Sequence, residues 1–299
     1  MIIENGILSK AQNSDIVNGT FEIPDSVTSI GDYAFYDCSN LRSIEIPDSV
    51  TTIGDFAFRH CYNLQSIIIP NSVTKIGSHA FYNCGNLQSI EIPDSVTTIG
   101  DNTFYFCDNL NSIVIPNSVT TIGSYAFRAC KNLQSVLIPE SVICINKYAF
   151  SDCSSLKSIV IPHGVTVIDD CTFNCCSALQ SIEIPDSVTT IGNSAFCGCR
   201  NLKSIEIPDS VTTIGDFAFC SCESLKSISI PDSVMKTGKF LFSYCKNLAS
   251  VVLSKTIKHI KPGLFKNCFN LTDITVAKKC KFDIKAFEGC TNLQHIYEI

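Results

Sequence analysis

Residues 47–69 read Pro-Asp-Ser-Val-Thr-Thr-Ile-Gly-Asp-Phe-Ala-Phe-Arg-His-Cys-Tyr-Asn-Leu-Gln-Ser-Ile-Ile-Ile, and variants of this string recur along almost the whole chain. Prolines mark its period: Pro24, Pro47, Pro70, Pro93, Pro116, Pro139, Pro162, Pro185, Pro208 and Pro231 stand 23 residues apart. Twelve phenylalanines hold one position: Phe35, Phe58, Phe81, Phe104, Phe127, Phe150, Phe173, Phe196, Phe219, Phe242, Phe265 and Phe287, the last interval being one residue shorter. Self-similarity at such a period is the mark of a stacked repeat. A length of 299 residues, by itself compatible with two ordinary domains, therefore describes an array of coils.

Each string contains two strand-like pieces. In Leu41 to Ile46, Ile44 and Ile46 fall on one face while Ser43 and Glu45 fall on the other. Val50 to Gly54 forms the second piece, and Pro47, which has no amide proton for a ladder, turns the chain between them. Gly54 provides either a positive φ or room for close packing. The stretch from Asp55 to Cys61 is too short for more than about two helical turns. Six large apolar side chains bury about 9–18 kcal/mol gross, whereas ordering 23 residues costs about 35 kcal/mol. One coil therefore depends on its neighbours. The expectation is a mainly β repeat solenoid, with parallel strands and short helical or turn segments. Residues 1–20 form its N-terminal cap, 21–276 the 23-residue repeats, and 277–299 a degenerate last repeat and C-terminal cap.

The pattern Leu-x-x-Ile-x-Ile, then Pro-x-x-Val-x-x-Ile-Gly-x-x-Ala-Phe-x-x-Cys-x-x-Leu, resembles the BspA-like (Treponema pallidum type) leucine-rich repeat from about Phe21 to Ile299. The resemblance implies a curved right-handed solenoid. It also implies a non-enzymatic surface or adhesion protein that recognises a host or matrix protein.

Composition bounds the function further. Hydrophobic residues make up 45% and charged residues 17%, which describes a folding chain. A net charge of −6 argues against general nucleic-acid binding. From Ser254 to Ile299 eight lysines face four acids, giving either a basic end for an acidic partner or a solvated cap. No run approaches the ~18 apolar residues of a membrane span. The segment from Met1 to Gly6 has no basic n-region, apolar core or small-residue cleavage site of an export signal. The expected state is a monomer without cofactor. Localisation is open between the cell surface, by resemblance, and the cytoplasm, by thiol content.

Stacking turns repeat positions into rows. An asparagine row runs from Asn40 through Asn63, Asn86, Asn109 and Asn132, with side chains poised to bond adjacent coils. Twelve of the eighteen cysteines, Cys38 to Cys290, form another row, read as core packing by small hydrophobes. Cys171, Cys175, Cys197 and Cys220 lie outside it. Their spacing does not match a zinc site; Cys197 and Cys220 share one outward position in adjacent coils, where the readings are a disulfide or free thiols. A threonine row from Thr28 to Thr212 is broken on its side by Lys75, Ile143 and Lys236. The five histidines occupy five different repeat positions, and neither a catalytic triad nor a phosphate-binding glycine loop is present. The candidate partner-binding residues lie on the outward row of the main sheet: Ile68, Glu91, Val114, Leu137, Val160, Glu183 and Glu206. In this reading an apolar centre of Val114, Leu137 and Val160 sits within an acidic rim. The alternative in another functional class is an intracellular leucine-rich-repeat scaffold for protein–protein interaction.

Overall fold

The computed structural model describes residues 1–299 and divides into two compact units, Met1–Ser154 and Ser155–Ile299. Each is a β-solenoid of parallel strands stacked coil on coil.

In the first unit an antiparallel hairpin of β1 (Ile2–Glu4) and β2 (Ile7–Lys10) starts the stack. Strand β2 then pairs in parallel with β3 (Ser29–Ile30), and β3 with Thr52–Ile53, which pairs with Lys75–Ile76. Thr98–Ile99, Thr121–Ile122 and Cys144–Ile145 continue this narrow ribbon. The main sheet contains Ser43–Glu45 beside Ser66–Ile68 and Ser89–Glu91 beside Ser112–Val114. Every one of these parallel rungs after β3 joins residues 23 apart, so the repeat length is the register.

In the second unit the narrow ribbon runs through Val167–Ile168, Thr190–Ile191, Thr213–Ile214 and Lys236–Thr237. The main sheet runs through Ser227–Ser229, Ser250–Val252, Asp273–Val276 and His295–Glu298. The last rungs, Asp273 with His295 and His259 with Lys281, join residues 22 apart. The dropped residue therefore falls in the turn before Lys281. Phe282, Ile284, Ile296 and Tyr297 of this last coil are exposed.

The inward residues are those the alternation assigns. Leu41, Ile44, Ile46, Val50, Ile53, Ala57, Phe58 and Cys61 are all buried, while Glu45 is exposed. Phenylalanine rings stack along each core nearly parallel, with centroids 4.8 Å (Phe35 and Phe58) to 5.5 Å (Phe81 and Phe104) apart in the first unit. In the second unit the spacings run from 5.5 Å (Phe196 and Phe219) to 5.9 Å (Phe219 and Phe242). Eleven of the twelve are fully buried; Phe287, in the end coil, is half-buried.

The segment after the second strand is a run of turns and not a helix. Its amides alternate. Those of Tyr33, Phe35 and Asp37 donate forward to the carbonyls of Asp55, Ala57 and Arg59 of the next coil. Those of Ala34, Tyr36 and Cys38 close turns onto Gly31, Tyr33 and Phe35. The alternation requires two left-handed residues per coil, and they are mostly not glycine: Tyr33 and Asp37, Phe56 and His60, His79 and Asn83. Each costs about 1–2 kcal/mol against the right-handed form, and the inter-coil hydrogen bonds offset it. Gly54, of the two roles open to it, serves close packing: a Cβ there would lie 2.6 Å from the Asp32 amide nitrogen.

Side chains complete the ladder. Asp32 Oδ1 accepts the amide of Asp55 at 2.7 Å, and Asp55 Oδ1 that of Ser78 at 2.9 Å. Ser49 and Ser72 hydroxyls donate to the carbonyls of Val27 and Val50. Asn63 donates to the Ser39 carbonyl, and Asn86, Asn109 and Asn132 then donate in turn to the side chain of the preceding asparagine. The cysteine row does more than fill space. Cys61, Cys84, Cys107, Cys130 and Cys153 each point Sγ at the carbonyl of the preceding coil's phenylalanine, 3.1–3.2 Å away. Burial pushes their thiols well up, so they stay protonated donors.

Phe127→Ala, inside the first unit, should cost about 3–5 kcal/mol by opening a cavity within the ring stack. Phe287→Ala should cost less, because its ring is half-buried and its coil has one partner in the unit. Denaturant melts compare them, and a larger loss at Phe287 would contradict this account of the core.

Candidate functional site

The outward row of the first unit's main sheet holds Glu45, Ile68, Glu91, Val114 and Leu137. Alternation puts them there, because Ile67, Ile90, Ile113 and Val136 take the inward positions. Glu45 lies opposite Ile68, Glu91 opposite Val114, and Val114 bridges to Leu137. Ile68 and Val114 are 61% exposed and Leu137 is 78% exposed, so these three large aliphatic groups stand in water. The adjacent serine row (Ser66, Ser89, Ser112, Ser135) is exposed as well. A depression lined by Thr20, Glu22, Ser43, Glu45 and Ile68 opens at the start of this face.

In the second unit Val160, 58% exposed, bridges to Glu183. Glu183 and Glu206 are exposed and line a depression with Asp186 and Asp209. The candidate residues thus form two groups on outward rows, one in each unit. In the first, Ile68 and the pair Val114 and Leu137 lie either side of Glu91; in the second, carboxylates dominate.

A second surface feature is not evident from the strand pattern. The first left-handed position of each coil in the first unit carries Tyr33, Phe56, His79, Asn102, Tyr125 and Tyr148. Its side chains pile up: Tyr33 on Phe56 at 4.7 Å, Phe56 on His79 at 4.4 Å, and Tyr125 on Tyr148 at 4.6 Å between centroids. Beside them Arg59 lies over the rings of Tyr36, Phe56 and Tyr82, and Arg128 over those of Tyr105, Tyr125 and Tyr148. The signal that marks it is positional, since these residues stand two places after the glycine that ends the second strand, or after Asn146 in the last case.

The lysine-rich end is partly paired. Lys255 lies 3.5 Å from Asp232 and Lys266 3.1 Å from Glu288. His295 bonds Asp273 at 3.0 Å on the exposed last strand. No three His, Cys, Asp or Glu side chains are grouped to hold a metal ion. No helix is long and apolar enough to cross a membrane.

The repeat and this stacking agree with what the chain resembles. A family model described as the BspA type leucine rich repeat region (6 copies) matches residues 12–113, 97–201 and 167–294. A leucine-rich repeat protein from Bacteroides ovatus is 32% identical, with a TM-score of 0.71 over 89% of this chain and 69% of that one. A leucine rich cell surface protein from Faecalibacterium prausnitzii is 28% identical, with a TM-score of 0.58 over 91% of this chain and 83% of that one. A leucine-rich repeat protein from Eubacterium ventriosum is 26% identical, with a TM-score of 0.52 over 93% and 72%. No curated protein matches the chain.

The aromatic row makes a titration prediction. Arg59 Nε donates to His60 Nε2 at 3.1 Å, and the Tyr62 hydroxyl lies 2.8 Å from His60 Nδ1. Burial first, and then the Arg59 charge, hold the imidazole below its ordinary 6.5. Folding therefore favours the neutral ring. Its contribution to stability is complete above about pH 6.5 and is lost as pH falls through the lowered value. An NMR titration of His60 should give a midpoint below that of a model imidazole; a midpoint at or above it would contradict this arrangement.

Proposed function

We propose, from the premise that the chain belongs to the BspA-type leucine-rich repeat family, that it is a non-enzymatic protein-binding module. In this reading it recognises a host or matrix protein at a cell surface. The observation that carries the reading is the exposure of Val114 and Leu137 as a bridged pair on the main sheet, beside Glu91. An apolar centre within a polar rim is how interfaces gain most of their affinity. Ile68 and Glu45 extend the first unit's face, and Val160, Glu183 and Glu206 form an outward group of their own within the second unit. The carboxylates act mainly on encounter with a basic partner, an effect that fades as salt screens it. The surface role rests on the family and on a neighbour that is itself a cell surface protein. The rival is an intracellular scaffold, which the load of eighteen thiols favours.

Leu137→Asp should weaken binding of a ligand captured from matrix or cell extracts at least tenfold, roughly 1.4 kcal/mol. Its melting transition should match the parent's, since the side chain points away from the core. Parent-like binding of Leu137→Asp in surface plasmon resonance, with loss in Arg59→Ala or in lysine variants after Lys255, would move the site to the turn face or the basic end.

A further inference from the structure

Two rows of the second unit hold cysteines in different chemical states. In the core row, Cys199, Cys222 and Cys245 each bond the phenylalanine carbonyl of the preceding coil at 3.1–3.3 Å. Those thiols are sealed in, and burial raises them far above the ordinary range. The position just after the core phenylalanine differs. It carries Asn174, Cys197, Cys220 and Ser243 in successive coils, so two thiols stand one rung apart.

The backbone holds the rungs together. Phe196 donates to the Ala218 carbonyl at 2.9 Å and Gly198 to the Cys220 carbonyl at 2.8 Å, on either side of Cys197. A rung of this kind sets neighbouring backbones about 5 Å apart, inside the Cα separation of about 4.4–6.8 Å that a disulfide spans. The two side chains leave the same repeat position of adjacent coils. Cys220 Sγ also lies 3.4 Å from the Ser243 hydroxyl and 3.6 Å from that of Ser221. Cys197 is half-exposed while Cys220 is buried, so the pair has one member that solvent reaches and one behind it.

We propose that Cys197 and Cys220 form a dithiol site that a low-molecular-weight disulfide oxidises to an intrachain disulfide, stapling adjacent coils. The Cys197 proton passes to the Cys220 thiolate as the Cys197 sulfur, which solvent reaches, attacks one sulfur of the small disulfide, whose S–S bond breaks and releases one small thiolate. Cys197 then carries a mixed disulfide. The Cys220 thiolate attacks the Cys197 sulfur, forms the protein S–S bond and expels the second small thiolate. The two thiol protons pass through water to the departing thiolates. The protein loses two electrons and two protons, and the small disulfide becomes two thiols. The hydrogen bond from Cys197 first, and those from Ser243 and Ser221, hold Cys220 below the ordinary thiol range, while sharing with Cys220 pushes Cys197 up. One proton thus leaves the pair easily and the other is retained, which supplies a thiolate near neutral pH.

The test treats the reduced, folded full chain with oxidised glutathione, blocks remaining thiols with an alkylating reagent, and maps unreduced peptides by mass spectrometry. The expected product joins Cys197 to Cys220 with a loss of about 2 Da, two hydrogens, and reverts on reduction. Cys220→Ser should stop at the mixed disulfide on Cys197. Cys197→Ser should leave Cys220 without glutathione, and Cys175→Ser should still give the linked product. Persistent glutathione on Cys197 of the parent, a link from Cys197 to exposed Cys175, or alkylation of both Cys197 and Cys220 after oxidation would each overturn the proposal.

Discussion

The backbone of this protein is hydrogen-bonded mainly to the coil before and the coil after, and only locally to itself. A buried amide or carbonyl without a partner costs as much as a lost hydrogen bond or more. A single coil leaves many of them open: the amides of Phe56, Phe58 and His60 reach forward, and those of Thr51 and Gly54 reach back. The two left-handed residues per coil, the carboxylate of Asp55, the Ser49 hydroxyl and the buried thiol of Cys61 serve the same demand. The ring stack supplies the apolar burial that accompanies it.

Much of this was legible in the sequence because a period of 23 residues fixes both register and face at once. Once Ile44 and Ile46 are assigned inward, Glu45 must point out, and the same parity places Val114 and Leu137 in solvent. Pro47 and Gly54 bracket the second strand correctly. The asparagine row was legible in kind, although its amides bond mostly one another and not the backbone.

The turn side was not legible in the same way. Nothing in the propensity of tyrosine, phenylalanine or histidine suggests a left-handed backbone, which is uncommon for bulky residues. Phe56 and His79 adopt it because their amides must meet the next coil, a requirement visible only once the coils are stacked. The aromatic and arginine layer that follows was therefore hidden by a backbone state that local chemistry disfavours. The cysteine row shows a related gap. Its burial could be read from spacing, but the directed Sγ–carbonyl contacts depend on a neighbour 26 residues away.

The parallel rungs after β3 keep the 23-residue interval up to the last coil, where one residue is dropped in a turn. That bears on how such a gene can change. Loss of one residue inside an interior coil would flip the parity of a strand and break the carboxylate, serine and thiol contacts to both neighbours. Loss or gain of 23 residues would leave every contact pattern intact. The unit of length change that keeps the register is therefore a whole coil.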